Sequence, residues 1–114
     1  MRQIFKYPLK MEGGMVVISA AIKKVLKIKM QGETAVMWAV VDPMGEPFDM
    51  LVASVGTGWK LGDKFDNWNY VGTVIDDMTD YVWHFFATVA EEDWEDPIAE
   101  GYKELMEDDD ILWS

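Results

Sequence analysis

Short runs of apolar residues, either alternating with polar residues or continuous, make up most of this chain of 114 residues. Alternation with a period of two is typical of a half-buried β-strand, and a continuous apolar run between turn residues is typical of a central strand. Such runs occupy residues 3–9, 15–18, 22–30, 34–42, 48–55, 68–75 and 80–89. We therefore predict about six or seven antiparallel strands, arranged as a β-sandwich or a small barrel. Pro8 lacks the N–H that a strand ladder needs, so the first strand should lie at a sheet edge.

The segment 22–30 is predicted to be a strand with a basic outer face. Its alternation places Leu26, Ile28 and Met30 on one side. The other side then carries Lys23, Val25, Lys27 and Lys29. A short helix over 20–26 is the alternative for this stretch. Together with Lys24, these lysines either balance the acidic half of the chain or contact a phosphate backbone. Docking of the acidic helix within the same molecule is one form of the first interpretation.

The C-terminal part of the chain has a different pattern. Asp96 is a good helix N-cap, and Pro97 suits the first helical position. Apolar residues then recur at helical spacing, which predicts a helix over 97–107. We therefore expect a mainly β (α+β) protein, with an antiparallel β domain over 1–90 and an acidic helix and tail over 91–114, packed on that domain or extending from it.

Composition narrows the class of protein. Half of the residues are apolar and six are tryptophans, so one domain of this length can bury a core. The chain contains no cysteine, which excludes disulfides, thiolate metal sites and cysteine nucleophiles. No apolar run reaches the ~18–20 residues of a membrane span, and the N-terminus lacks the apolar stretch of a signal peptide. We expect a soluble protein of the cytoplasm.

The charge is distributed very unevenly. The net charge of the whole chain is −11, made up of +3 over residues 1–60 and −14 over residues 61–114. Most of the negative charge lies in residues 76–114, whose net charge is −13. Aromatic side chains stand among the terminal carboxylates, and solvating tails usually lack them. We predict that this group binds a partner: Glu91, Glu92, Asp93, Trp94, Glu95, Glu100, Tyr102, Glu104, Glu107, Asp108, Asp109, Asp110 and Trp113.

Three other motifs could carry chemistry, and each has a simpler structural interpretation. His84 is the only histidine and stands among aromatic residues, as a packed sheet residue would. Asp76, Asp77 and Asp80, with His84, could hold a hard cation, but they lack EF-hand spacing and suit a solvated hairpin loop. The stretch "GTGWKLG" (56–62) does not match a phosphate-binding loop, so its glycines should serve turns with positive φ. We predict no catalytic residue, no metal ligand and no cofactor.

Several motifs together resemble a family of short, uncharacterised domains from bacteriophages and prophages. They are "IFKYPL", "MWAVVDP", "VGTGWKL", "YVGTV" and "YVWHFF", and they cover roughly residues 4–87. The resemblance implies a compact β domain of phage-like origin, and no function is established for that family. The acidic extension from Glu91 onward departs from the short forms of the pattern.

These observations lead to one main functional hypothesis and two alternatives. The main one is a non-enzymatic phage accessory protein that binds and inhibits a host factor with a basic nucleic-acid-binding surface, as an anti-CRISPR, anti-restriction or host-takeover inhibitor and as a DNA mimic. The protein itself would bind neither nucleic acid nor membrane, and a homodimer stays open. The first alternative is a phage structural or assembly protein that associates with itself. The second is a small-ligand or metal-binding domain.

Overall fold

The computed structural model describes residues 1–89, which form seven strands and one short 3₁₀ helix. The strands are β1 (Gln3–Pro8), β2 (Met15–Ala20), β3 (Ile22–Gln31), β4 (Thr34–Val41), β5 (Phe48–Gly56), β6 (Asn69–Ile75) and β7 (Val82–Val89). The 3₁₀ helix, Asp63–Asn67, lies between β5 and β6. The mainly β fold is therefore confirmed, and the alternative of a helix over 20–26 is wrong. The helix predicted over 97–107 lies outside the described residues.

The strands form two antiparallel sheets that pack as a sandwich. The three-stranded sheet has the order β1-β4-β3, and the four-stranded sheet has the order β2-β5-β7-β6. The first strand lies at a sheet edge, as Pro8 predicted, and β4 is central, as its continuous apolar run predicted. The β3–β4 hairpin turns through Gly32, whose φ of 64° fits the first central position of a type II′ turn.

The buried side chains form one cluster, which draws on strands of both sheets and on the loops that follow β1 and β5. Among the side chains described, the largest fully buried ones are Phe85, Met37, Leu51 and Val52. They come from β7, β4 and β5, the inner strands of the two sheets. Burying apolar surface of this kind is the dominant favourable contribution to folding, so these three strands hold the sandwich together.

Strand β3 connects the two sheets. Only Ala21 separates it from β2, and the Ala21 carbonyl accepts a hydrogen bond from the Asp42 N–H at 3.0 Å. Further along, β3 packs against β6 of the other sheet. A Cβ atom built on Gly72 would lie 2.9 Å from the Ile28 Cβ, closer than real Cβ contacts. Glycine at position 72 therefore permits the approach of the two strands.

The predicted faces of β3 are partly wrong. The pairing of β3 with β4 shifts between Ile22 and Lys24 and again between Val25 and Lys27. Each shift inserts one extra residue, as a β-bulge does, and thereby breaks the period of two. Val25, predicted to face outward, instead packs against the core, whereas Leu26 is 43% exposed.

Ser54 is the buried polar residue among the side chains described, and it holds the turn before β2. Its hydroxyl accepts a hydrogen bond from the Gly13 N–H at 3.0 Å. The Ser54 N–H in turn donates to the Gly14 carbonyl at 3.1 Å. Gly13 has a φ of 81° and is itself buried, so its N–H depends on this internal acceptor.

A lysine face as the candidate functional site

The residues predicted to bind a partner, from Glu91 to Trp113, all lie outside the described residues. Their charge can still be compared with that of the part described. Residues 1–89 carry nine basic and ten acidic side chains, a net charge of −1. Residues 90–114 carry one basic and eleven acidic side chains, a net charge of −10. Nearly all of the excess negative charge is therefore in the C-terminal segment.

The two sheets differ sharply in their charged residues. Strands β1, β3 and β4 contain five lysines and no acidic residue. The four strands of the other sheet contain no lysine or arginine, and their one acidic residue is Asp49. The three-stranded sheet is thus the positively charged side of a body whose net charge is −1.

The strand register places four of these lysines on one outer surface around a tryptophan. Lys6 and Lys27 both pair with Trp38, so the three residues form a row across the sheet. Residues directly opposite each other in neighbouring strands point to the same face, and neighbouring strands lie about 4.8 Å apart. Lys6 and Lys27 therefore flank Trp38 from strands separated by about 10 Å.

Parallel rows extend this surface in both directions. Ile4 and Lys24 pair with Val40 in one row, and Pro8 and Lys29 pair with Val36 in the other. We name this surface the lysine face and define it by the following residues: Ile4, Lys6, Lys24, Lys27, Lys29, Trp38 and Val40. It combines a cationic border with an apolar centre.

The lysines of this face are available to a ligand. All four are exposed, whereas Trp38 and Val40 are half-buried between them. Lys6 donates through Nζ to the Gln31 Oε1 at 2.7 Å, reaching across β4. Within residues 1–89, no ion pair or hydrogen bond involves the side chains of Lys24, Lys27 or Lys29. A carboxylate or phosphate of a ligand could therefore pair with them without displacing an internal partner.

His84 lies in the four-stranded sheet, within a chain of hydroxyl groups. Its Nε2 is 2.7 Å from the Thr57 Oγ1, and its Nδ1 is 3.0 Å from the Thr73 Oγ1. The Thr73 hydroxyl is 2.5 Å from the Tyr70 hydroxyl. Both ring nitrogens are thus held by hydroxyl groups, and these contacts join β6 and the loop after β5 to β7. The arrangement fits a packed sheet residue, as the sequence predicted.

The acidic loop between β6 and β7 is a tight turn. Asp76 accepts the N–H of Met78 through Oδ1 at 3.0 Å, and its carbonyl accepts the N–H of Asp80 at 2.7 Å. Asp80 adopts a φ of 62°, which aspartate tolerates better than most residues. Within residues 1–89, no three carboxylate or histidine groups are close enough to share a metal ion. The carboxylate of Asp76 therefore serves the turn.

Gly56, the first glycine of "GTGWKLG", and the distant Gly13 accommodate the Trp59 ring. A Cβ atom on Gly56 would lie 2.7 Å from the Trp59 Nε1, and one on Gly13 would lie 3.0 Å from its ring. Gly58 has a φ of 90°, as predicted, whereas Gly62 has a φ of −70°, so the prediction of a positive φ is wrong there. Trp59 itself is buried and packs edge-on against Trp83, with 5.5 Å between ring centroids. This stretch therefore closes one end of the core.

Residues 1–89 thus define an antiparallel β-sandwich domain that carries a lysine face on its smaller sheet. The chain belongs to a family described as a domain of unknown function, DUF7352, whose model matches residues 1–96. The resemblance to an uncharacterised family is confirmed at this level. No protein with a curated description and no solved structure matches the chain significantly. Within the described residues, no helix is long and apolar enough to cross a membrane.

Sequence reasoning found the lysines of β3 but missed Trp38 and Lys6 as parts of the same surface. Trp38 lies within a continuous apolar run, which gives no sign of which side chains face outward. Lys6 is far away in sequence and reaches the surface only because β1 pairs with β4. The sequence did contain one signal for Lys6: the alternation of β1 places it on one side of the strand together with Ile4 and Pro8.

Proposed function

We propose that this protein is a non-enzymatic, acidic accessory protein that binds a partner's basic nucleic-acid-binding surface through residues 91–114 and thereby inhibits that partner. The observation that carries the proposal is the separation of charge, with −10 on the C-terminal segment and −1 on the body. A segment with this charge density is attracted to the surfaces that attract nucleic acid. The β-sandwich would serve as its carrier.

The physical basis is competition for the same cationic side chains. A groove that binds nucleic acid uses arginine and lysine side chains to neutralise phosphates, and closely spaced carboxylates can take their place. Trp94, Tyr102 and Trp113 would add apolar contacts, since tryptophan and tyrosine are frequent anchors of protein interfaces. Electrostatic steering would make association fast and strongly dependent on salt.

The proposal also includes the origin of the protein and the class of target that it binds. A phage-like origin, carried by the motif resemblance, would place the protein in the cytoplasm of a bacterial host. The targets that fit the chemistry are a CRISPR effector, a restriction enzyme, a polymerase or a repair nuclease. All four bind nucleic acid through basic surfaces, which is the property that the proposal requires.

The test is a capture experiment with the full chain in a bacterial lysate. The tagged protein is compared with a variant in which Asp108→Asn, Asp109→Asn and Asp110→Asn remove three terminal charges. A matched control removes three exposed charges from the body by Glu33→Gln, Glu46→Gln and Asp77→Asn. We expect the wild type and the control to retain a nucleic-acid-binding complex that duplex DNA or salt releases, and the terminal variant to retain less of it.

Two outcomes would contradict the proposal. If the terminal variant and the control retain the same partner equally, the terminal charges do not make the contact. If nothing that binds nucleic acid is retained and light scattering shows that the protein associates with itself, the assembly alternative replaces the proposal.

A further inference from the structure

We propose that the lysine face is the docking site for the protein's own acidic segment, residues 90–114, in the absence of a partner. The inference adds a form of regulation to the proposed function and uses the same segment. Docking in cis would cover the carboxylates that a partner must reach. A partner with a more strongly basic surface would then displace the segment from the body.

The first support is charge complementarity. The lysine face presents four exposed lysines, and its strands contain no acidic residue. The segment 90–114 has eleven acidic residues and one basic residue. Within residues 1–89, the lysines of β3 that belong to this face form no ion pair. The strongest concentration of negative charge in the chain is thus matched to the strands that carry most of the body's lysines.

The second support is the apolar content of both surfaces. Trp38 and Val40 are half-buried at the centre of the face, and Ile4 at its edge is 62% exposed. The segment ends with Ile111, Leu112 and Trp113, an apolar group next to three aspartates. Contact between the two apolar groups would remove both from water while the surrounding charges pair. A purely solvating acidic tail would not need these residues.

The third support is the tether. The segment follows Val89, which pairs with Met50, and Met50 pairs with Ile18 near the point where the chain enters β3. The 25 residues from Ala90 onward can span up to about 80 Å when extended. The face is much shorter, since ten residues of β3 extend over about 33 Å. A tether of this length gives an effective concentration on the order of millimolar, so weak contacts suffice.

The same tether favours the acidic segment over a nucleic acid as the occupant. A nucleic acid strand would approach a chain with a net charge of −11, of which −10 lies in the tethered segment. It would have to overcome this repulsion and also compete with a ligand at high local concentration. A second copy of the chain presents the same segment, but only at the bulk protein concentration.

The experiment is a spin-label measurement on the full chain. The protein has no cysteine, so Ser114→Cys gives a single attachment point for a nitroxide label at the end of the segment. The label broadens the amide signals of residues close to it in an NMR spectrum. We expect signal loss in β1, β3 and β4 at low salt. The signals should return at high salt, because the Debye length falls from about 10 Å at 0.1 M to about 3 Å at 1 M.

Charge variants show whether the lysine face is responsible. Lys27→Glu reverses one charge beside Trp38, and Lys10→Glu reverses one exposed charge that lies outside the face. We expect Lys27→Glu to restore most of the lost signal and Lys10→Glu to restore little. Equal effects of the two variants would overturn the proposal, because the attraction would then be a general one. Signal loss confined to the four-stranded sheet would also overturn it.

Mixed samples identify the occupant. When spin-labelled protein without ¹⁵N is mixed with unlabelled ¹⁵N protein, broadening in β1, β3 and β4 would show docking between copies and would overturn docking in cis. If no broadening occurs in any sample and a single-stranded oligonucleotide shifts the signals of these strands, the face binds nucleic acid instead. All of these measurements use isolated protein. They can therefore disprove docking in cis while the capture experiment still finds a partner, and they can show docking while the capture experiment finds none.

Discussion

The hydroxyl of Ser54 should contribute substantially to the stability of the fold, because it is the acceptor for a buried backbone N–H. Ser54→Ala removes the acceptor of the Gly13 N–H, a hydrogen bond of 3.0 Å in a buried turn. Alanine keeps the backbone bond from residue 54 to the Gly14 carbonyl. The hydroxyl lies 3.5 Å from the same carbonyl, too far for a strong bond, so the orphaned Gly13 N–H dominates the loss.

The magnitude follows from that orphaned donor. A buried N–H without an acceptor costs about 1–3 kcal/mol, because the group was bonded to water in the unfolded chain. For a domain of this size, 1 kcal/mol lowers the melting temperature by roughly 4–8 °C. Native domains are stable by about 5–15 kcal/mol, so the variant should still fold. We therefore expect a folded Ser54→Ala protein that melts at least about 4 °C below the wild type.

The assay is urea unfolding followed by tryptophan fluorescence, with thermal melting as a second measurement. The matched control is Ser19→Ala, which removes an exposed hydroxyl that bonds to Asp49 at the surface. The control should lie within about 0.5 kcal/mol of the wild type. The dependence of the unfolding free energy on urea should be the same in all three proteins. If Ser54→Ala loses no more stability than Ser19→Ala, the reasoning about the Gly13 N–H is wrong.

Three further predictions concern close contacts and pH. Gly72→Val should lower the free energy of unfolding, measured in urea, by about 1–3 kcal/mol, because the new Cβ would overlap Ile28. Unchanged stability would show that β3 and β6 are not in contact. Gly56→Ala should lower the melting temperature and shift the tryptophan emission of the folded protein, because its Cβ would meet the Trp59 ring. Burial raises the pKa of the Tyr7 hydroxyl above 10.0, so the folded state keeps this proton to a higher pH than the unfolded chain. The stability that this difference in pKa supplies is fully present below pH 10.0 and is lost as pH rises through the folded pKa. The urea midpoint of Tyr7→Phe should therefore fall less steeply above pH 10.0 than that of the wild type.

The strands could be predicted from the sequence because each has a local signal. Alternation or a continuous apolar run marks every strand, and Pro8 correctly indicates an edge. The two bulges in β3 could not be predicted, since each depends on which residue of β4 lies opposite. The predicted positions of Val25 and Leu26 were wrong for this reason.

The candidate site could be predicted only in part. Local sequence shows the lysines of β3 and the acidic C-terminal segment, because charge can be counted along the chain. The row of Lys6, Trp38 and Lys27 depends on the pairing of β4 with both of its neighbours. Strand order of this kind is set by long-range packing, which the periodicity of one strand does not record.

The single residue between β2 and β3 makes the domain indivisible. β3 is hydrogen-bonded to one sheet, covalently continuous with the other through Ala21, and packed against β6 at its far end. If β3 is removed, the three-stranded sheet loses an edge strand and β6 loses the strand that packs against it, so the four-stranded sheet alone has an incomplete core. Because β3 also provides three of the four lysines of the lysine face, a ligand on that face would hold a strand that pairs within one sheet and packs against the other.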